Sequence, residues 1–245
     1  MVMLVLYIVA VVSRSVKLPT FAVVIPTFRE AENLEWLVPR ILDLYPSSTV
    51  IVVDDSSEDG TAELIEKLQG LFSPNRLIIE ARLELPSYAR SLLKGIQIAS
   101  KLRVQKILHM DADGSHPVEE IGALIMSSSN VAIGSRYIKG SKVLKVPYTR
   151  RVISRLGNYY LNLKVPIPVA DKTNGFRAFD LKAIRLLENL ESTQDGFSIQ
   201  IEVLQHLVQF GATFEEYPTT FKYRSLGNSK FNLSKVFEAL KLTRQ

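Results

Sequence analysis

Two aspartates separated by one residue follow a short apolar run in "ILHMDADGSHP", residues Ile107 to Pro117. Side chains at positions i and i+2 of an extended chain point to the same side, so Asp111 and Asp113 can approach one cation. A hard divalent cation prefers oxygen ligands and commonly joins one or two carboxylates to substrate phosphates. The pattern therefore predicts a site for Mg²⁺ or Mn²⁺. The alternative is a turn in which the pair only caps the helix that begins near Val118.

A second acidic pair, Asp54 and Asp55, follows the apolar run "VIVV". In doubly wound folds, an acidic residue after the second strand commonly binds the ribose hydroxyls of a nucleotide. The sequence contains no G-x-G-x-x-G motif. We therefore expect the metal and basic side chains to neutralise the phosphates, in place of a glycine-rich loop. The candidates are Arg136, Arg224 and Lys230.

Short runs rich in Val, Ile and Leu alternate with segments of helical apolar spacing, which predicts a β-α-β-α order. The predicted strands are Phe21 to Pro26, Ser48 to Asp55, Arg76 to Ala81, Lys106 to Asp111 and Asn130 to Ser135. The predicted helices between them are Glu30 to Leu44, Thr61 to Leu71, Tyr88 to Leu102 and Val118 to Ser127. This order predicts an α/β fold with a mostly parallel sheet, helices on both faces and ligands at the carboxyl ends of the strands.

The regular alternation stops after Gly140, where the basic stretch "KGSKVLKVPYTRRVISR" begins. It leads into a predicted helix from Tyr148 to Leu163. The remaining predicted elements are a helix at Ser198 to Phe210, a strand near Thr213 to Tyr223 and an amphipathic segment at Leu233 to Leu242. The basic run can position an anionic acceptor, or it can be a solvated basic face. No internal repeat or low-complexity linker is present, so residues 21–245 are predicted to form one domain after a hydrophobic extension, residues 1–20.

Composition excludes some chemistry and leaves other classes open. The chain has 245 residues, 47% of them hydrophobic, and no cysteine. It therefore has no disulfide framework, thiolate nucleophile or cysteine-bound metal, which suits a reducing compartment. The net charge of +5 fits an anionic substrate or an acidic membrane surface as well as nucleic acid.

The N-terminal segment "MVMLVLYIVAVV" is apolar throughout. As a helix it would be roughly 18 Å long, short of the roughly 30 Å hydrocarbon core of a bilayer. It lacks the basic start and the small-residue cleavage site of a secretory signal. We expect an anchor at a membrane surface or a helical appendage; an extension packed on the domain, or an error in the assigned start, is the alternative.

Six motifs in order carry a resemblance to a known family: "VVIPTFREAENL", "IVVDDSSEDGT", "HMDADGSHP", "AIGSRY", "NGFRAF" and "RSLGNSKF". The chain resembles the inverting family 2 glycosyltransferases of GT-A fold, in particular the dolichol-phosphate mannose synthase branch. The resemblance implies transfer of a hexose from a nucleotide-diphosphate sugar, GDP-mannose or UDP-glucose, to a polyprenyl (dolichyl) phosphate. It implies a location at the cytoplasmic face of a membrane, peripheral or N-terminally anchored, and no nucleic-acid partner.

The resemblance also implies roles for individual residues. The residues expected to hold the nucleoside are Pro26, Phe28, Glu30, Val53 and Asp55. The residues expected to meet the ribose, the diphosphate and the metal are Asp111, Ala112 and Asp113, with Ser115 completing the metal shell. Arg136 is expected to contact the diphosphate, as are Arg224 and Lys230 from a closing loop. Arg150 and Arg151 fall where the family places a basic residue for the acceptor phosphate. Asp113, Arg136 and Arg150 are the candidates for catalysis.

One departure and several alternatives accompany the resemblance. Relatives usually have a Gly-Leu-Gly-like turn before the third helix, where this chain has Pro86, Ser87 and Tyr88 in "LELPSYARSLLKG". A family 2 enzyme with a sugar or other hydroxyl acceptor is one alternative. The motif "DADGS" also resembles the nucleophile motif of haloacid-dehalogenase-type phosphatases, although there the acidic pair follows the motif. A sugar nucleotidyltransferase would need a glycine-rich loop after its first strand, and a lectin-like or scaffold role stays open.

Overall fold

The computed structural model describes residues 18–55, 59–82, 85–192, 196 and 198–223. Within them, the strands are β1 (Phe21–Thr27), β2 (Ser48–Asp54), β3 (Leu77–Ala81), β4 (Lys106–His109), β5 (Val131–Ser135), β6 (Lys142–Leu144), β7 (Arg177–Asp180), β8 (Phe214–Pro218) and β9 (Thr220–Lys222). The helices are α1 (Ala31–Leu44), α2 (Thr61–Leu71), α3 (Tyr88–Ser100), α4 (Ile121–Ile125), α5 (Tyr148–Lys164), α6 (Leu181–Leu187) and α7 (Ser198–Gln209), with a 3₁₀ turn at Val118–Glu120 before α4. No helix in these ranges is long and apolar enough to cross a membrane.

Seven strands form one sheet in the order β3-β2-β1-β4-β7-β5-β8. Neighbouring strands run parallel except that β7 is antiparallel to both β4 and β5. The predicted mostly parallel sheet is therefore confirmed. The sequence analysis assigned no strand to "NGFRAFD", and that assignment was incomplete, because Arg177–Asp180 inserts between two strands that the chain order had suggested as neighbours.

The strands are continuous apolar runs because helices cover the sheet on both faces. On one face, Val24 and Ile51 pack with Leu92 and Ile96 of α3. The opposite face contains a second apolar cluster, to which α1 contributes Leu34, Leu37, Val38 and Ile41. Helix α3 approaches β1 so closely that a Cβ atom on Gly95 would lie 2.3 Å from Val24 Cγ1. This close packing positions the start of α3 beside the strand ends.

The single strand predicted near Thr213 to Tyr223 is wrong, because the chain leaves the sheet at Thr219 and continues as β9 beside β6. The carboxylate of Glu120 stabilises the chain at this change of direction. It accepts hydrogen bonds from the Thr219 hydroxyl (2.6 Å) and from the Thr220 backbone N–H (3.1 Å). Most of the predicted hydrophobic extension and the segment predicted at Leu233 to Leu242 lie outside the described residues.

Candidate active site

The two aspartates of "DADG" lie on a turn directly beyond β4. The chain bends at residues 112–114, where Gly114 has a φ of 71°, in the left-handed region that glycine tolerates. The Ser115 backbone N–H donates to Asp113 Oδ1 at 3.0 Å. The carboxylates are thus held by a turn, whereas the sequence analysis placed them on an extended chain. The capping alternative is not supported, because the 3₁₀ turn begins after Pro117 without a side-chain cap.

A cavity of about 220 Å³ joins this turn to helix α5. The predicted site residues that line it are Asp111, Asp113, Ser115, Arg136, Arg150 and Arg151. Apolar side chains also line the cavity, namely Val143, Val146, Ile153, Leu161 and Phe221. The fold therefore brings the acidic pair and three of the predicted arginines to one opening, although β5 and α5 follow the acidic turn by many residues.

Asp111 is held through its carboxylate and through its backbone. The Tyr88 hydroxyl donates to its Oδ1 at 2.9 Å, and the Asp111 backbone N–H donates to His116 Nδ1 at 3.1 Å. His116 Nε2 in turn lies 2.9 Å from Asn174 Oδ1. Burial raises the pKa of Asp111, and the neighbouring charge of Asp113 adds to this effect, while His116 opposes it. His116 therefore connects the acidic turn with Asn174.

A buried hydrogen-bond network of His109, Tyr88 and Gln200 supports Asp111. His109 is fully buried, and its Nε2 lies 3.1 Å from the Tyr88 hydroxyl, which also accepts a hydrogen bond from Gln200 Nε2 at 2.9 Å. Burial lowers the pKa of His109 well below its usual value, so the ring is neutral at neutral pH. Gly175 makes room for this network, because a Cβ atom there would lie 2.8 Å from the His109 ring.

Arg136 forms a buried ion pair that sequence reasoning did not find. Its Nε and Nη2 donate to the two carboxylate oxygens of Asp171, each at 2.8 Å, and Nη2 also donates to the Thr173 hydroxyl at 2.7 Å. Burial alone would lower the pKa of Arg136, but the charge and hydrogen bonds of Asp171 outweigh it and raise that pKa. Arg136 is therefore a fixed positive charge in the cavity wall. Its partner, Asp171, is the first residue of the motif "DKTNG".

Arg150 and Arg151 line the cavity from the first turn of α5. Arg150 Nη1 donates to the Tyr223 hydroxyl at 3.0 Å, and its Cζ lies 4.9 Å from the centre of that ring. Arg151 Nη2 donates to the Val143 carbonyl at 3.2 Å. Its Nε is buried and has no hydrogen-bond partner within the described residues. An anion in the cavity is the kind of group that satisfies such a donor.

The predicted nucleoside residues lie at the neighbouring ends of β1 and β2. Pro26 and Val53 are buried within their strands, and Phe28 and Glu30 belong to the turn that leads into α1. Asp55 is buried and accepts hydrogen bonds from the Ser87 backbone N–H (2.9 Å), the Ser91 hydroxyl (2.6 Å) and Arg82. None of these predicted residues is among the cavity-lining residues that the structure describes, and neither is Ala112. Their roles stay predictions, and Arg224 and Lys230 lie outside the described residues.

The donor set at the acidic turn fits a hard divalent ion. The described residues contain no group of three or more histidine, cysteine, aspartate or glutamate side chains that could enclose a metal. Asp111, Asp113 and Ser115 offer only oxygen, and Asp111 Oδ2 makes no hydrogen bond within the described part of the chain. Mg²⁺ and Mn²⁺ are commonly held in this way, by one or two carboxylates with the remaining ligands from water and substrate phosphates.

Comparison with known proteins identifies the family. The family model described as "Glycosyl transferase family 2" matches residues 22–187. The chain belongs to glycosyl transferase family 2. This glycosyltransferase is 33% identical to polyprenol monophosphomannose synthase of Mycolicibacterium smegmatis over 221 residues, 89% of this chain and 83% of that protein. It is 34% identical to dolichol-phosphate mannosyltransferase of Pyrococcus furiosus over 227 residues, 90% of this chain and 61% of that protein.

Solved structures confirm the GT-A architecture of this glycosyltransferase. Glucosyl-3-phosphoglycerate synthase from Mycobacterium tuberculosis, in complex with Mn²⁺, UDP and glucosyl-3-phosphoglycerate, matches with a TM-score of 0.62 at 17% identity, covering 92% of this chain and 80% of that one. A mannosyltransferase from Pyrobaculum calidifontis, in complex with GDP-Man and Mn²⁺, matches with a TM-score of 0.55 at 16% identity, covering 93% of this chain and 61% of that one. The family assignment favours a glycosyltransferase over the phosphatase and nucleotidyltransferase alternatives.

Sequence reasoning about this glycosyltransferase missed the polar residues that support its acidic turn. Tyr88 was noted only as part of a departure from the family pattern, and Gln200 only as part of a helical run. Asp171, Thr173 and Asn174 lie in "DKTNGFRAFD", which was noted as a motif without roles for its first residues. The density of polar residues in that motif, directly after an apolar segment, was the available signal.

Proposed function

We propose that this glycosyltransferase moves a hexose, mannose or glucose, from a nucleotide-diphosphate sugar to a polyprenyl phosphate, with inversion at the anomeric carbon. The observation that carries the proposal is the one cavity lined both by Asp111 and Asp113 of the acidic turn, here called its acidic end, and by Arg150 and Arg151 of α5, here called its basic end. Relatives named as polyprenol monophosphomannose synthase and undecaprenyl-phosphate mannosyltransferase support the choice of acceptor. GDP-mannose and UDP-glucose are the two donors to be distinguished.

The acidic end of the cavity suits the donor diphosphate. Asp111, Asp113 and Ser115 would hold Mg²⁺ or Mn²⁺, which when bound neutralises the charge that grows on the departing diphosphate. Arg136 adds a positive charge that Asp171 already orients. A charge held in place before the reaction needs no reorganisation when the transition state forms, so Arg136 stabilises the leaving group at little cost.

The basic end of the cavity suits an acceptor that is already an anion. A polyprenyl phosphate is negatively charged at neutral pH, so the chain needs cationic positioning and no general base. The guanidinium groups of Arg150 and Arg151, which line the cavity, would supply that positioning. An acceptor phosphate oxygen then attacks the anomeric carbon, the bond from that carbon to the diphosphate breaks, and the bonding pair leaves with the nucleoside diphosphate.

Helix α5 also suits a membrane surface, where a polyprenyl phosphate is found. Its exposed side chains include Leu156, Tyr159 and Leu163, which are 63%, 65% and 66% exposed. Arg155 and Lys164 are interspersed with them on the same helix. Apolar and aromatic side chains combined with basic ones are typical of helices that lie at a lipid interface. We therefore place this helix against the membrane; the cytoplasmic face and the N-terminal anchor stay predictions.

A transfer assay with the full chain in detergent tests the proposal. GDP-mannose and UDP-glucose, labelled in the sugar, are each supplied with polyprenyl phosphate in the presence of Mg²⁺, Mn²⁺ or EDTA. We expect labelled glycolipid from one donor, formed with metal and not with EDTA. Matched reactions contain a free sugar or a protein hydroxyl as the acceptor. Transfer to these, with none to polyprenyl phosphate, would contradict the acceptor assignment and leave a family 2 enzyme of another acceptor class.

A further inference from the structure

One phenol group contacts three polar side chains next to the acidic turn. The Tyr88 hydroxyl donates to Asp111 Oδ1 (2.9 Å), accepts from Gln200 Nε2 (2.9 Å) and lies 3.1 Å from His109 Nε2. We call these four residues the tyrosine network. It connects the acidic turn with helices α3 and α7, which are separated by 112 positions in sequence at the contact between Tyr88 and Gln200. Neither helix contains a residue to which the proposed function assigns a role.

The start of helix α3 holds Tyr88 in place. Ser87 is the N-cap of the helix and accepts a hydrogen bond from the Arg90 backbone N–H at 3.4 Å. The Ser87 backbone N–H donates to Asp55 Oδ2 at 2.9 Å. Two adjacent residues at the start of α3 thus contact two acidic residues: Ser87 contacts Asp55 after β2, and Tyr88 contacts Asp111 after β4. This is the segment in which Pro86, Ser87 and Tyr88 stand where related sequences usually have a glycine-rich turn.

The contacts define a direction for the Asp111 carboxylate. Oδ1 is bound to Tyr88, whereas Oδ2 makes no hydrogen bond within the described residues and lies 3.9 Å from His116 Nε2, which is itself paired with Asn174. A hydroxyl carries one hydrogen. Gln200 donates to the Tyr88 oxygen, and His109 does the same in the tautomer that carries its proton on Nε2, so the hydroxyl hydrogen is directed towards Asp111. The space is tight, because a Cβ atom on Gly175 would lie 3.2 Å from the Tyr88 oxygen and 3.3 Å from Asp111 Oδ1. Glycine at position 175 therefore leaves the space in which the phenol and the carboxylate lie together.

We propose that Tyr88 is a positioning residue that orients the Asp111 carboxylate so that Oδ2 is presented to the metal and diphosphate of the donor. Gln200 acts one step further away, because it sets the direction of the Tyr88 hydroxyl. The inference rests on the proposed metal-dependent function. Hydrogen-bond partners of metal ligands typically change metal affinity or activity by 10–100-fold when they are removed, so the loss of the phenol hydroxyl is expected to be measurable.

The test measures Mn²⁺ binding directly, by titrating the full chain with Mn²⁺ in the presence of GDP or UDP and following free Mn²⁺ by its electron paramagnetic resonance signal. We expect Tyr88→Phe, which keeps the ring and removes the hydroxyl, to weaken Mn²⁺ binding about tenfold. Gln200→Met should weaken it by a smaller factor. Tyr45→Phe is the matched control, because the Tyr45 hydroxyl is also buried, donates to the Val118 carbonyl and accepts from the Gly122 N–H; its Mn²⁺ affinity should stay that of the unmodified chain.

Two further variants separate the possible failures. If Tyr88→Phe and Gln200→Met bind Mn²⁺ like the unmodified chain while Asp111→Asn loses binding, the metal site stands and the positioning role of Tyr88 is wrong. If Asp111→Asn also binds normally, or if the unmodified chain binds no Mn²⁺ with either nucleotide, the metal assignment itself is overturned. Thermal unfolding of each variant accompanies the titration, and a loss of affinity confined to partly unfolded Tyr88→Phe protein, with Gln200→Met unaffected, would also contradict the inference.

Discussion

The two ends of the cavity are built differently. At the acidic end, Asp111 and Arg136 are each bound by side chains from distant elements, through Tyr88 and Asp171 respectively. At the other end, Arg150 and Arg151 project from a helix that exposes much of its apolar surface. Both ends contain internal hydrogen bonds, since Arg150 donates to the distant Tyr223, but at α5 the arginines are accompanied by uncovered apolar side chains such as Leu156 and Leu163.

This difference follows from what each end would bind. A diphosphate and a metal need ligands at defined distances, and hydrogen-bonded groups on strand ends provide such positions with little loss of entropy on binding. A long polyprenyl chain has no polar groups beyond its phosphate to be recognised, so an open apolar surface with a few cations is sufficient. Four predictions test whether the two ends are separate in this way.

The largest expected effect is at the acidic turn. Asp113→Asn keeps the side-chain volume but removes the charge that would hold the metal, so transfer should fall by about a thousandfold or more, a loss on the scale of removing a group that stabilises transition-state charge. Labelled glycolipid formation measures it, with circular dichroism to show that the fold is kept. The control is Asp43→Asn on the exposed side of α1. Near-normal transfer by Asp113→Asn would remove the metal role from this residue.

The second prediction concerns the stability of the acidic end. Asp171→Asn leaves the buried guanidinium of Arg136 without its counter-charge, and breaking a buried pair in this way costs roughly 3–5 kcal/mol of unfolding free energy. Urea denaturation measures the change. Glu35→Gln is the matched control, because its ion pair with Lys67 is exposed on both sides and should contribute less than about 1 kcal/mol. Equal losses for the two variants would show that the Arg136 pair is not special.

The third prediction separates acceptor from donor. Replacing Arg150 and Arg151 together by Ala removes the charges assigned to the acceptor phosphate. Because two charge-assisted hydrogen bonds to that phosphate would be lost, transfer to polyprenyl phosphate should fall by about a hundredfold. Binding of the nucleoside diphosphate, followed by calorimetry, should stay unchanged. The double variant Lys101→Ala with Arg103→Ala removes the same charge from exposed positions and controls for net charge. A parallel loss of nucleotide binding would show that the two ends of the cavity are not independent.

The smallest expected effect concerns the exposed face of α5. Replacing Leu156 and Leu163 together by Ser should weaken binding to vesicles that contain anionic lipid by roughly tenfold, since each leucine contributes only part of the free energy of a fully buried one. Transfer to detergent-dispersed lipid should be unchanged. Leu71→Ser is the matched control, with Leu71 67% and Leu163 66% exposed. Vesicle binding that is unaffected by the α5 changes would place the membrane contact elsewhere, with the N-terminal segment as the next region to test.

Sequence alone determined the order of strands and helices up to Ser135 and the family. Parallel strands covered on both faces must be apolar throughout, and polar residues must follow them where ligands bind, so both features are visible as local patterns. The ends of "VVIPTF", "IVVDD" and "HMDAD" were therefore found at the carboxyl edge of the sheet. The order and spacing of the six motifs indicated the family.

Only the tertiary structure decided which side chains meet. Asp171 reaches Arg136 across 35 positions and Gln200 reaches Tyr88 across 112, and β7 inserts between β4 and β5 against the chain order. The exposed face of α5 was also invisible, since a helical apolar pattern does not show whether another element covers it. Hydrophobic period is a local property of the chain, whereas hydrogen-bond partners and uncovered surfaces depend on how distant elements pack, and that information is distributed over the whole sequence.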